Sequence, residues 1–153
     1  MSHRHFMEAA LEEAREAGRA GEVPVGAVLV RGGQVLCRSG NTRERDRNPL
    51  GHAELEVLRE GARLLQRWRL DDCMLYVTLE PCTMCAAAAI QARIATVVFA
   101  AEDLERGACG SVWNLPAASE MDHHPEVVGG IMDEPARGLL NEFFAGLRGR
   151  RQG

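Results

Sequence analysis

The chain has 153 residues, of which 46% are hydrophobic and 26% charged, a balance typical of one globular domain with a single core. The net charge of −4 has the wrong sign for a protein that coats nucleic acid non-specifically. No apolar run approaches the roughly 20 residues that a membrane-spanning helix needs. We therefore expect one domain over residues 1–153 and no membrane partner.

The first part of the chain predicts a helix followed by a β-hairpin. Residues 4–19 have apolar side chains at helical spacing and an acidic polar face, which is unlike a signal peptide. Val23–Val30 predicts a buried strand. Gly32 and Gly33 form the predicted turn, and Gln34–Gly40 is the predicted hairpin partner.

The rest of the chain predicts helices and strands in alternation. In chain order these are a helix from Gly51 or His52, a strand Met74–Leu79, a helix from Pro81 to about Ala92, a strand Ile94–Ala100, a short strand Glu126–Val128 and a helix Pro135–Arg148. Residues 102–125 are irregular. A hairpin followed by such alternation predicts a three-layer α/β domain.

The chain has five cysteines, an odd number that argues against a framework of disulfides. Reduced thiols and the absence of a signal peptide predict a cytoplasmic protein. Cys37 and Cys73 lie in or beside apolar strands, where a free cysteine usually fills space as a small hydrophobic residue. Cys109, in the irregular segment, is harder to assign.

The segment "LEPCTMC" carries the remaining two cysteines, Cys82 and Cys85, at the start of a predicted helix. Spacing of three residues puts both sulfurs on one side, and a helix N-terminus favours thiolates. A further segment, "GHAEL", supplies His52 and Glu54 at another predicted helix start. The order H-x-E followed by P-C-x-x-C is the signature of zinc-dependent nucleobase deaminases.

Each of these side chains suits that chemistry. One imidazole and two thiolates fill three positions of a tetrahedral zinc ion and leave the fourth for water, whose pKa then falls toward about 7. A carboxylate beside that water can move protons. Two alternatives remain open for the cysteine pair: a thioredoxin-like redox centre and a structural zinc knuckle, which would need a fourth protein ligand.

The chain resembles the bacterial tRNA-specific adenosine deaminases of the cytidine deaminase superfamily from about Phe6 to Arg148. The resemblance rests on "EVPVGAVLV", "HAE", "LYVTLEPCTMCAAA", "GACGS" and "LLNEFFAGLR", which follow one another in that order. It implies a three-layer cytidine-deaminase-like fold with a central mixed five-stranded sheet. It also implies one Zn²⁺ per subunit, a homodimer, and conversion of adenosine to inosine at the wobble position of a tRNA anticodon stem-loop.

The resemblance also implies roles for individual residues. The implied metal ligands are His52, Cys82 and Cys85, and the implied proton shuttle is Glu54. The implied substrate contacts are Asn41 to the flipped adenine, Val25 and Ala53 as lining of its pocket, and Asp103 near the neighbouring nucleotides.

Departures from the family pattern lie away from the metal motif. Glu105 replaces a lysine that is usual in the family, Gln91 replaces a frequent histidine, and Asp122 replaces an asparagine. "LDDC" also resembles the related guanine deaminases. Two other functions therefore stay open: a deaminase of a free base or nucleoside (guanine- or cytosine-type), and an inactive, zinc-stabilised RNA-binding subunit.

Overall fold

The computed structural model describes residues 2–152, and their side chains as far as residue 150. These residues form four helices and five strands. In chain order they are α1 (His3–Arg19), β1 (Gly26–Arg31), β2 (Gln34–Gly40), α2 (Ala53–Leu65), β3 (Cys73–Leu79), α3 (Thr83–Gln91), β4 (Thr96–Ala101), β5 (Glu126–Val128) and α4 (Asp133–Gln152). Within this described part, no helix is both long enough and apolar enough to span a membrane.

The strands form one mixed sheet in the order β2-β1-β3-β4-β5. β1 runs antiparallel to β2 and β3, while β3, β4 and β5 are parallel. Gly32 and Gly33 both have positive φ, 58° and 76°, as a two-residue type I′ hairpin turn requires. The predicted mixed five-stranded sheet is confirmed.

Each face of the sheet is covered by a pair of helices. Successive residues of β3 alternate between two buried clusters: Leu75 and Val77 face the cluster that includes α2 and α3, and Tyr76 faces the cluster that includes α1 and α4. The sheet is therefore the middle layer between two layers of helices, and the predicted three-layer α/β architecture is confirmed.

The first strand is shorter at its start than the prediction Val23–Val30. It begins at Gly26, because the carbonyl of Val23 accepts from the Asn41 side chain and from the backbone N–H of Val25 rather than from a neighbouring strand. Apolar character alone could not separate this stretch from the strand proper. The later start of β1 leaves Val23 outside the sheet, where its carbonyl is in contact with Asn41.

Helix boundaries also differ by a few residues from those predicted. α3 begins at Thr83 rather than at Pro81, so Cys82 becomes its N-cap. α4 is longer at both ends than Pro135–Arg148. The parallel strands β3 and β4 end at the same edge of the sheet, which brings the residues that follow them together.

Candidate metal centre and active site

The three predicted metal ligands lie at the N-termini of two helices. His52 is the N-cap of α2, Cys82 is the N-cap of α3, and Cys85 lies in the first turn of α3. Neither N-cap side chain makes a capping hydrogen bond, so both stay available for another partner. The free N–H groups of the first helical turn favour negative charge, including thiolates.

The ligand atoms of these three residues meet at distances that suit a zinc ion. Nδ1 of His52 lies 3.7 Å from Sγ of Cys82 and 3.4 Å from Sγ of Cys85, and all three atoms lie within 4.8 Å of one another. Tetrahedral zinc with bonds of about 2.0–2.3 Å separates its ligands by roughly 3.5–3.8 Å. Among the residues that the structure describes, the group contains no fourth histidine, cysteine or carboxylate.

The two sulfurs differ in their affinity for a proton. A hydrogen bond with Cys85 lowers the pKa of Cys82 to about 3. A second hydrogen bond, with His52, acts in the same direction, and burial opposes both. The same contact with Cys82, together with burial, raises the pKa of Cys85. The hydrogen bond with Cys82 raises the pKa of His52, although burial opposes this effect. The His52 ring lies against both sulfurs. A redox centre made of two thiols has no need of such a histidine, so this contact favours a metal site.

Glu54 is the buried acid of the site. It lies in the first turn of α2, two residues after His52, and is only 4% exposed. Burial raises the pKa of its carboxyl to about 7, and the opposing effects of the backbone and of His52 are smaller. A carboxyl with a pKa near neutrality can both accept and release a proton, as a general acid and base must.

Asn41 joins two segments beside the metal group. Its side-chain Nδ2 donates to the carbonyl of Val23 at 3.1 Å, and its Oδ1 accepts from the backbone N–H of Ala53 at 3.0 Å. Its own backbone N–H donates to the carbonyl of Val25 at 3.1 Å. The structure therefore brings together three of the predicted substrate residues, of which Val25 and Ala53 are buried.

Comparison with known proteins agrees with this geometry. Residues 1–101 match the family model for the cytidine and deoxycytidylate deaminase zinc-binding region. The chain is 42% identical over 147 residues to the tRNA-specific adenosine deaminase of Bacillus subtilis (strain 168), covering 96% of this chain and 91% of the relative. The chain belongs to the tRNA-specific adenosine deaminase family. The predicted family is confirmed.

Solved structures show the same fold. A tRNA:A34 deaminase studied for A-to-I editing at the wobble position has a TM-score of 0.87 and 44% identity, with 89% of this chain and 99% of that chain covered. A guanine deaminase from Nitrosomonas europaea has a TM-score of 0.80 at 24% identity, over 94% of this chain and 85% of that chain. The second likeness concerns the fold alone.

In the deaminase, Asp103 follows β4 and organises a turn. Its Oδ1 accepts from the backbone N–H groups of Glu105 and Arg106, both at 3.0 Å. The family resemblance implies that Asp103 lies near the nucleotides next to the target, and that role stays a prediction. The structure adds a local role, since the same carboxylate shapes the loop that carries Glu105.

Two buried carboxylates of the deaminase were missed by the sequence analysis. Glu22 and Glu80 are each only 2% exposed. Glu22 accepts from the backbone N–H groups of Glu44 and Arg45 at 3.0 and 2.7 Å, and Glu80 accepts from a separate loop that follows β4. The available signal was a glutamate within two residues of a proline, next to apolar residues, in both "EVPVG" and "LEPC".

Asp122, one of the departures from the family pattern, lies in the loop before β5. It accepts from Arg93 at 2.9 Å, and the neighbouring His123 ring is 2.7 Å from the carbonyl of Ile94. Both contacts fasten this loop to the segment between α3 and β4. The aspartate therefore has a partner of opposite charge within the chain.

The three remaining cysteines lie outside the metal group. Burial is the main cause that raises the pKa values of Cys37 and Cys73 to about 11 and of Cys109 to about 12. Thiols of this kind stay protonated at neutral pH. The backbone N–H of Cys109 donates to Glu80, and that of Ala108 donates to the carbonyl of Pro81, so Cys109 lies against the segment that leads to Cys82.

Proposed function

We propose that the chain is a zinc-dependent hydrolytic deaminase that converts adenosine to inosine at the wobble position of a tRNA anticodon loop. The observation that carries the proposal is the buried Glu54 carboxyl beside the group formed by His52, Cys82 and Cys85. The relatives named for adenosine deamination in tRNA support the choice of substrate.

The residues present fit one zinc ion per chain, held by His52, Cys82 and Cys85. Their nitrogen and sulfur atoms are the ligands that zinc prefers, and their spacing matches a tetrahedral site. When bound, the ion supplies a Lewis acid that brings the pKa of a water molecule toward about 7.

Glu54 performs the proton transfers in this proposal. Its carboxylate takes a proton from the attacking water and delivers it to N1 of adenine, and the oxygen of that water forms a bond to the more electrophilic C6. A second proton passes through Glu54 to the exocyclic amino group. The C6–N bond then breaks, ammonia leaves, and the oxygen of water remains on C6 as inosine.

The base would lie between the segment around Val25 and the start of α2 at Ala53, which Asn41 ties together. One N–H of the Asn41 amide is not used by its bond to Val23 and is free to meet the base. Asp103 would act on the nucleotides beside the target. An anticodon loop is already single-stranded, so turning its adenosine outward costs little.

Incubation of the zinc-loaded chain with an unmodified tRNA that has adenosine at the wobble position tests this function. Inosine at that position, with one ammonia released per inosine, is the expected result. Ammonia from free guanine, cytosine or adenine without inosine in tRNA would instead identify a small-molecule deaminase. No ammonia from any of these substrates would leave only an RNA-binding role.

We also propose that residues 1–153 act as one deaminase domain in a cytoplasmic homodimer. Several apolar side chains are exposed in the single chain, among them Trp68, Leu104, Trp113 and Phe144. A contiguous patch of such side chains marks an interface, so a homodimer would bury some of them against the second copy. Light scattering coupled to gel filtration should give twice the mass of one chain.

A further inference from the structure

Glu80 is a buried carboxylate that the proposed chemistry does not use. It follows β3 directly and stands two residues before Cys82, yet only 2% of it is exposed. A buried carboxylate is costly unless donors or a positive charge compensate it. Among the described residues, no arginine or histidine forms an ion pair with Glu80.

All the donors to this carboxylate come from residues 103–111, which we call the 103–111 loop. Oε1 accepts from the backbone N–H of Asp103 at 3.1 Å and from the hydroxyl of Ser111. Oε2 accepts from the backbone N–H groups of Cys109 at 3.0 Å and of Ser111 at 3.1 Å. Three backbone amides and one hydroxyl thus replace water around the negative charge.

The loop is shaped to bring its backbone this close. A Cβ atom at Gly107 would lie 2.4 Å from Cδ of Glu80 and 2.5 Å from the carbonyl oxygen of Asp103. No other residue fits there without displacing the carboxylate or the loop. The glycine and the buried glutamate are therefore two parts of one arrangement.

The same loop lies directly against the metal-binding segment. The backbone N–H of Ala108 donates to the carbonyl of Pro81 at 2.8 Å, one residue before Cys82. Ala108 and Cys109 are buried in the same cluster as Ala53. The hydrogen bonds of Glu80 consequently set where the loop, with Asp103 at its start, stands relative to the metal ligands.

We propose that Glu80 is a positioning residue that holds the 103–111 loop beside the metal centre and thereby sets the affinity for the nucleotides next to the target base. The inference rests on the proposed function, because it assigns the loop to the RNA substrate. Glu80 itself would touch neither the substrate nor the metal ion. Its loss should therefore raise KM much more than it lowers kcat.

The test uses Glu80→Gln in the full zinc-loaded chain. Glutamine keeps the size of the side chain but puts an NH₂ group where one oxygen now accepts hydrogen bonds. Since hydrogen bonds to charged groups are strong, KM for an anticodon stem-loop should rise about tenfold or more, while zinc content stays at the wild-type value. A KM within twofold of wild type would overturn the proposal, and so would loss of zinc with kcat falling as much as kcat/KM.

Amide hydrogen exchange supplies a readout that needs no substrate. In Glu80→Gln, the amides of Asp103, Cys109 and Ser111 should exchange about tenfold faster, while those of β3 and β4 keep their wild-type rates. Glu22→Gln is the matched control: it is equally buried, but its amide donors belong to Glu44 and Arg45. The control should leave exchange in the 103–111 loop unchanged.

Two further variants keep the test decisive if Glu80→Gln does not fold. Ser111→Ala removes one of the four donors and should give a smaller increase in exchange, confined to the same loop. Trp68→Phe leaves Trp113 as the single tryptophan, whose fluorescence anisotropy should fall when Ser111→Ala is added. Unchanged exchange and anisotropy would overturn the proposal. If the wild type makes no inosine, the proposed function fails, whereas the exchange rates still decide whether Glu80 holds the loop.

Discussion

The metal centre and the 103–111 loop lie side by side, yet different interactions position them. The ligands stand at the starts of α2 and α3, and these helices are fixed by buried apolar contacts along their length. The loop places Ala108 and Cys109 in that cluster too, but four of its hydrogen-bond donors converge on one carboxylate, Glu80. Because the two regions are held differently, chemistry and substrate affinity can be changed separately. The chemistry depends on helix packing, whereas substrate affinity depends on a few hydrogen bonds that can be changed without disturbing the metal ligands.

The largest expected effect comes from removing a metal ligand. Cys85→Ala should abolish both zinc binding and turnover, because two protein ligands cannot hold the ion in a catalytic site. Zinc content by atomic spectroscopy and inosine formation measure the two losses together. Cys37→Ser is the control, since Cys37 lies outside the metal group and serine keeps its hydrogen bond to the carbonyl of Val57. Full zinc occupancy in Cys85→Ala would contradict the assignment.

Loss of the buried acid should separate chemistry from metal binding. Glu54→Gln should keep one zinc per chain and lower kcat about 10²- to 10⁴-fold, because proton transfer by a positioned side chain contributes on that scale. Binding of a labelled stem-loop to this inactive variant should stay within a few-fold of wild type. Substantial turnover with glutamine at this position would exclude Glu54 as the proton shuttle.

Asn41 shares features of both regions: it lies next to His52, as the metal ligands do, but it holds its neighbours by hydrogen bonds, as Glu80 does. Asn41→Ala leaves the carbonyl of Val23 and the N–H of Ala53 without their partner, at a cost of about 1–3 kcal/mol each. We expect kcat/KM to fall about tenfold to a hundredfold with zinc retained. Ser39→Ala is the nearby control, since that hydroxyl donates to the carbonyl of the adjacent Gly40 and not to the Val23 or Ala53 segments. Equal kinetics in both variants would show that the bridge has no role in substrate binding.

A pair of glycines tests the loop without changing any charge. Gly107→Ala should act in the same direction as Glu80→Gln, raising KM several-fold, because its Cβ would collide with the Glu80 carboxylate. Gly138→Ala, in α4 with nothing within 4 Å of a new Cβ, should instead stabilise the fold by about 0.5–1 kcal/mol. Stem-loop kinetics and thermal unfolding of both variants give the comparison. A wild-type KM in Gly107→Ala would mean that the loop tolerates displacement.

The smallest expected effect concerns the charge on the surface of the loop. Glu105 is exposed, and the sequence resemblance implies a lysine at this position in other family members. Glu105→Lys should tighten stem-loop binding about two- to fivefold at low salt and make the affinity more dependent on salt, as an added phosphate contact does. Binding measured over a salt series checks this. Weaker binding, or an unchanged salt dependence, would place Glu105 away from the RNA.

The metal group could be predicted from sequence because its signals are local. Two short motifs stand at helix starts: His52 with Glu54, and Cys82 with Cys85. One helix and one strand separate the motifs along the chain, which is enough to bring the two helix starts together. Boundaries were less accurate where a side chain competes with the sheet, as Asn41 does at the start of β1. The role of Glu80 could not be predicted, because its donors lie 23 to 31 residues further along an irregular segment.

The most direct test of the central claim is X-ray absorption at the zinc edge of the loaded chain. We expect two sulfur ligands at about 2.3 Å, one imidazole nitrogen at about 2.0–2.1 Å and one further oxygen from water. A third sulfur around the ion would mean that a further cysteine, such as Cys109, closes the site. That result would contradict an open metal position facing Glu54, and with it the hydrolytic function.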